Sequence, residues 1–94
     1  MFLIYANYSY GLEIVDKYLV EHRAFLDKYF EKNKLVFSGS RVPRTGGVII
    51  CKAETRLEVQ EILSEDPFYK NKAVEYEIIE FNATKFMKGL ESIL

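Results

Sequence analysis

The stretch Lys34–Ala53, KLVFSGSRVPRTGGVIICKA, decides the architecture. Lys34 to Arg41 is rich in β-branched and aromatic residues and reads as a strand, Pro43, Gly46 and Gly47 mark a loop, and Val48 to Ala53 reads as a second strand. Two strands joined by a short Pro/Gly loop form a hairpin. Working outward, a strand and a helix stand on its N-terminal side: Phe2 to Tyr8 is a short aromatic and β-branched run, Gly11 turns out of it, and Leu12 to about Asn33 carries the pattern of one long amphipathic helix. On the C-terminal side, Thr55 and Glu58 have the spacing of a capping box that opens a helix with Leu57, Val59, Ile62 and Leu63, and Pro67 ends it. Val74 to Phe81 (VEYEIIEF) is a fourth strand. The tail from Ala83 places Phe86, Met87, Leu90, Ile93 and Leu94 at roughly helical spacing, which predicts a closing helix.

The order β-α-β-β-α-β is that of a ferredoxin-like α+β domain, an antiparallel sheet with two helices on one face, here followed by a C-terminal helix. The other face of such a sheet is polar in a monomer, so each strand should alternate. Yet Phe2-Leu3-Ile4-Tyr5, Leu35-Val36-Phe37 and Val48-Ile49-Ile50-Cys51 are apolar in both phases. Both faces therefore need cover, and a second copy of the sheet packed face to face supplies it, which predicts a homodimer. The alternative is a tail that folds back over the open face.

Ninety-four residues, 49% of them hydrophobic, describe a single domain spanning residues 1–94. The net charge is -1, Arg41 and Arg44 are the one tight arginine pair, and Glu75, Glu77 and Glu80 make the last strand acidic. Nucleic-acid binders draw most of their affinity from a basic stripe, so nucleic acid is not an expected partner. No apolar run approaches the ~18 residues of a membrane span, so no membrane partner is expected. The single cysteine, Cys51, has no intramolecular partner, and the start MFLIYANY has no basic segment or small-residue cleavage site; a cytoplasmic protein is the economical expectation.

The one histidine is the residue of chemical interest. At ~100° per residue, Val15, Tyr18, Leu19, Phe25, Leu26, Tyr29 and Phe30 share one arc of the first helix, and His22 lies within it. Asp16, Lys17, Glu21, Arg23, Asp27 and Lys28 fall on the other side. A buried imidazole needs partners for its ring nitrogens. A core histidine bonded to a backbone carbonyl meets that need, and so does a working residue paired with a carboxylate that fixes its tautomer. Since Asp16 and Asp27 are directed to solvent, Asp66, at the end of the second helix, is the available carboxylate. Asp66-Pro67-Phe68 equally reads as an N-cap followed by Pro at the first helical position.

Ser38 and Gly39 offer a hydroxyl and a close backbone approach for a ligand, or simply a solvent-exposed strand end. Arg41 either grips a carboxylate substrate or belongs to a solvated loop. One histidine and one cysteine do not make a zinc site, and no Walker A or GxGxxG motif is present, so neither metal nor cofactor is expected. Cys51, inside an apolar strand, reads as packing.

Together, His22 within EHRAFLDKYFEKNKLVFSGS, the hairpin ending in GGVII, and the Asp66-Pro67-Phe68 step make the chain resemble the YCII-related proteins. The resemblance runs from the first strand to Phe81 and implies a dimeric α+β barrel with a ferredoxin-like protomer. It also implies that His22 and Asp66 match the family's His–Asp pair, proposed there as an active site, with Ser38 and Gly39 at its small-residue strand end. Two positions depart from the family pattern: Gly39-Ser40 stands where a Gly-Pro step is common, and Lys17 and Tyr18 where an arginine is. The functional expectation is a cofactor-free enzyme that uses His22 and Asp66 for elimination, isomerisation or hydrolysis of a small, carboxylate-bearing organic substrate. The alternative is a non-catalytic dimeric module that binds a small ligand or a protein.

Overall fold

In a computed structural model, which describes residues 1–94, the chain runs β1 (Phe2–Tyr8), α1 (Leu12–Lys17), α2 (Leu19–Glu31), β2 (Leu35–Ser40), β3 (Gly46–Cys51), α3 (Arg56–Leu63), α4 (Pro67–Lys70) and β4 (Val74–Glu80). The four strands form one antiparallel sheet in the order β2-β3-β1-β4. This is the ferredoxin-like arrangement expected from the element order. The central hairpin pairs Ser38 with Ile49 and Ser40 with Gly47, and a bulge between Leu35 and Phe37 shifts the register.

Residue parity assigns the two faces. Phe2, Ile4 and Ala6 of β1 stand opposite Cys51, Ile49 and Gly47 of β3 and face the helices. At one end of this face, Phe2, Ile4, Leu35, Ile49 and Cys51 pack with Phe25 and Tyr29 of α2 and with Val59, Ile62 and Leu63 of α3. A smaller cluster joins Ala6 and Val74 of the sheet to Val15, Phe68 and Ala73. Beyond the main cluster the helix-facing positions of β1, β3 and β2 are small, namely Ala6, Gly47, Ser38 and Ser40. Little side-chain volume fills that end of the sheet, and a cavity results there.

Two sequence expectations need correction. The first helix is divided at Tyr18, whose backbone leaves the helical region at φ -106°, ψ 11°. Its N–H bonds to the Val15 carbonyl, three residues back, a tightened turn that closes α1 before α2 begins. The C-terminal helix does not form: beyond β4 there are only isolated turns, closed by Leu90 N–H on Met87 and Leu94 N–H on Leu90. Gly89, at φ 102°, interrupts the apolar spacing, and Phe86 and Met87 stay exposed. A short helix with no surface to bury its apolar face does not repay nucleation. Pro67 opens α4, as the N-cap reading of Asp66-Pro67-Phe68 expects. Asp66 is the N-cap, accepting the Phe68 N–H at 3.0 Å.

The second cap behaves as its sequence suggests. Thr55 Oγ1 accepts the Glu58 N–H at 3.1 Å, although the Glu58 carboxylate reaches back to the Glu54 N–H rather than that of Thr55. The open sheet face carries Leu3, Tyr5, Val48 and Ile50, partly buried, beside Phe37 at 59% and Ile79 at 40% exposure. The tail thus leaves apolar surface uncovered on that side. No helix is long and apolar enough to cross a membrane.

Gly46 is the tightest backbone approach in the sheet: a Cβ built there would lie 2.1 Å from the Ala6 carbonyl oxygen. That neighbour is backbone in a paired strand and has little room to yield. Gly46→Ala is expected to lower stability by about 1–3 kcal/mol, read as a shift in the urea midpoint; a midpoint equal to wild type contradicts the close approach.

Candidate active site

The site is assembled from α2, the α3–α4 connection and the sheet. His22 sits on the second turn of α2, its backbone N–H bonded to the Tyr18 carbonyl at 2.9 Å. Its Nδ1 lies 2.8 Å from Asp66 Oδ1. The imidazole also stacks on Phe68, with ring centroids 3.9 Å apart and planes 5° from parallel. One three-residue step, Asp66-Pro67-Phe68, therefore fixes both the edge and the plane of the ring. The cap and the carboxylate partner, two alternative readings of Asp66 in the sequence, coexist in one side chain.

Asp66 is fully buried. Its Oδ1 accepts from Phe68 N–H and faces His22 Nδ1, and its Oδ2 accepts from the Tyr76 hydroxyl of β4. Burial, and then the neighbouring Asp66 carboxylate, push the Tyr76 phenol well above the ordinary tyrosine range. Tyr76 is thus a permanent proton donor toward Asp66. With both carboxylate oxygens occupied as acceptors, His22 Nδ1 is the donating nitrogen of its ring. Nε2 then carries the lone pair. It has no hydrogen-bond partner in the chain, and no buried side-chain nitrogen or oxygen lacks one, so Nε2 is open.

His22 lines a cavity of about 320 Å³. His22, Leu19, Arg23 and Leu26 of α2 form one wall, Ala6, Gly47 and Ile49 the sheet floor, and Ser38, Gly39 and Ser40 the β2 rim, with Tyr8 and Phe68 at the side and Asp16 and Arg44 also in the lining. Ser38 and Ser40 share the helix-facing parity of their partners Ile49 and Gly47. Gly39 contributes backbone.

Arg41, the arginine singled out from the sequence, does not line this cavity. It follows Ser40 at the strand end, and alternation turns it away; its Nη1 donates to Asn7 Oδ1 at 2.6 Å. Arg44 lines the cavity in its place. Arg23 and Asp16 were assigned to the solvent side of a single continuous helix, yet both line the cavity, with the helix divided between them. Tyr76 also escaped the sequence reading. A signal was present: VEYEIIEF places Tyr76 between Val74 and Ile78 on the core-facing phase, and a buried phenol requires a partner. Cys51 is remote from the cavity, and burial pushes its thiol up to about 11, which leaves it protonated near neutral pH.

A ferredoxin-like sheet with a carboxylate-held histidine at the wall of a cavity defines a class of small α+β domains built around a pocket. The chain belongs to the YCII-related domain family, whose model matches residues 1–82. Among solved structures it is similar to 5-chloro-2-hydroxyhydroquinone dehydrochlorinase (TftG) from Burkholderia phenoliruptrix AC1100 in complex with 2,5-dihydroxybenzoquinone. The two share 25% identity at a TM-score of 0.76, over 86% of this chain and 92% of that one. No curated protein matches the chain.

The three-donor arrangement makes a stability prediction. Tyr76→Phe removes one charge-assisted bond to a buried carboxylate and should cost about 1.5–3 kcal/mol. Asp66→Ala strands the imidazole, the phenol and the Phe68 N–H together and should cost more, about 3–5 kcal/mol. Urea denaturation of both variants checks the order, and a Tyr76→Phe variant as stable as wild type removes Tyr76 from the network.

Proposed function

We propose that this protein is a cofactor-free enzyme that performs acid–base chemistry on a small organic substrate, with His22 as the proton-transferring group and Asp66 as its orienting partner. The observation that carries this reading is the His22–Asp66 bond at the wall of a cavity, with the opposite ring nitrogen unbonded. In such a step Nε2 takes a proton from the substrate. The electron pair left behind forms a new π bond, and the leaving group departs with its own bonding pair. The imidazolium formed keeps its Nδ1–H on Asp66 and returns the Nε2 proton to the leaving anion or to water. In this scheme Ser38 and the β2 backbone at Gly39, both in the cavity lining, bind substrate oxygens. Arg41, held by Asn7, has no part in this scheme.

The dehydrochlorinase relative supports elimination as the reaction type. Proton removal coupled to loss of a leaving group asks for a base and a fixed orientation, which these residues supply. Positioned acid–base catalysis contributes ~10²–10⁴-fold. A suitable probe is 5-chloro-2-hydroxyhydroquinone, with released chloride as the readout. His22→Gln is expected to lower the rate ~10²–10⁴-fold under conditions where the variant stays folded, with a stability loss of about 1.5–3 kcal/mol for the lost bond to the Asp66 carboxylate. No chloride release by wild type, together with a His22→Gln variant that chiefly loses stability, would favour a non-catalytic ligand-binding module.

We further propose that the active form is a homodimer joined through the open sheet face. The exposed Phe37 and Ile79, with Leu3, Tyr5, Val48 and Ile50 between them, make an apolar surface that a second copy covers by sheet-on-sheet packing. Light scattering at micromolar concentration should give twice the 11.0 kDa chain mass, and Phe37→Glu should shift the population toward monomer. A wild-type monomer under those conditions would overturn this assembly.

A further inference from the structure

Two arginines reach the cavity lining, and their states differ. Arg44, in the loop between β2 and β3, extends to α1, where its Nη2 lies 2.7 Å from Asp16 Oδ1. The bond joins two elements that approach the cavity from different sides, and both residues line it. Arg23, on α2 next to His22, lines the same cavity and forms no ion pair or side-chain hydrogen bond. Asp16 engages Arg44, whereas Arg23 has no ion-pair partner, so its guanidinium is available to an anion that enters the cavity.

The Arg44–Asp16 contact is also of a kind that exchanges easily. A single guanidinium nitrogen meets a single carboxylate oxygen, with the side chains 37% and 54% exposed. Exposed pairs of this sort contribute only about 0–1 kcal/mol. A guanidinium can instead hold both oxygens of a planar anion through parallel N–H bonds, an arrangement stronger than a one-point contact. Asp16 therefore occupies Arg44 without satisfying its fork.

We propose that the cavity takes a planar organic monoanion, and that Arg44 is its specificity residue, with Asp16 an intramolecular competitor that the substrate's acidic oxygens displace. The proposal rests on the cavity being the reaction site, and it names the charge and shape of what enters. Volume agrees with it: about 320 Å³ is at the lower end of the ~300–1,000 Å³ range of small-molecule sites, suited to a single ring. Ser38 and Ser40 on the β2 rim supply hydroxyls for the ring's other oxygens. The anion would be drawn in by Arg23 and Arg44 and held with its ring beside His22 Nε2.

The test uses benzoate as the anion and benzamide as its neutral isostere, with binding read from the NMR signals of the imidazole. His22 is the only histidine, so those signals need no assignment, and binding is measured without turnover. Asp16→Asn is expected to tighten benzoate binding about two- to fivefold, because it removes an exposed competing carboxylate. Arg44→Gln should weaken it about tenfold. The double variant should resemble Arg44→Gln, since Asp16 acts only through Arg44, and benzamide should respond to none of the three. Thermal melts should stay near wild type, both side chains being exposed.

Loss of benzoate affinity in Asp16→Asn, equal responses from benzamide, or no perturbation of the imidazole by benzoate in any form would each overturn the proposal. Failure of the catalytic reading is seen separately. In that case chloride release is absent while the benzoate pattern stands.

Discussion

A fully buried carboxylate must be paired or become a liability, and Asp66 is the one polar side chain that the core encloses completely. Three donors from three parts of the chain converge on it: the imidazole of α2, the first-turn N–H of α4, and the phenol of β4. The arrangement of helices over the sheet is tied to this point, because the bonds form only when α2, the α3–α4 connection and β4 hold their observed places. Breaking a buried network by removing one member leaves the others unpaired, which is why such networks specify structure as well as stabilise it. Here the same constraint fixes the ring of His22 at the cavity wall.

The cavity has an equally plain cause. At one end of the sheet the helix-facing positions are Phe2, Ile4, Leu35, Ile49 and Cys51, and aromatic and aliphatic residues of α2 and α3 fill the space above them. At the other end the corresponding positions are Ala6, Gly47, Ser38 and Ser40, and the space above them stays partly empty. Stability is concentrated in the packed end and recognition in the sparse one. His22 stands at the boundary, with Phe25 of the main core on one side and stacked Phe68 on the other.

Much of this was legible before any coordinates. The Pro/Gly loop between two apolar runs defined the hairpin, Thr55 defined a cap, and His22 stood out as the one polar ring on an apolar stripe. Asp66 was identified as its partner by elimination and by family resemblance. The chain's readings failed where a local pattern lacked tertiary support. The apolar spacing of the tail did not become a helix because no surface receives it and Gly89 interrupts it. The continuous helix predicted over Leu12–Asn33 hid the turn at Tyr18, and with it the place of Asp16 and Arg23 at the cavity.

Element order, strand parity, caps and the identity of the polar residues facing inward belong to the sequence itself, because each depends on residues a few positions apart. Which end of the sheet stays unfilled, that Tyr76 reaches Asp66, that Arg44 meets Asp16 and that Arg41 turns to Asn7 were decided only by the tertiary structure. Those outcomes depend on register and on volumes summed over residues far apart in the chain. Local periodicity carries the direction of a side chain and not the distance to its partner. For His22, the sequence determined that it points inward; the fold decided what holds it and what lies open before it.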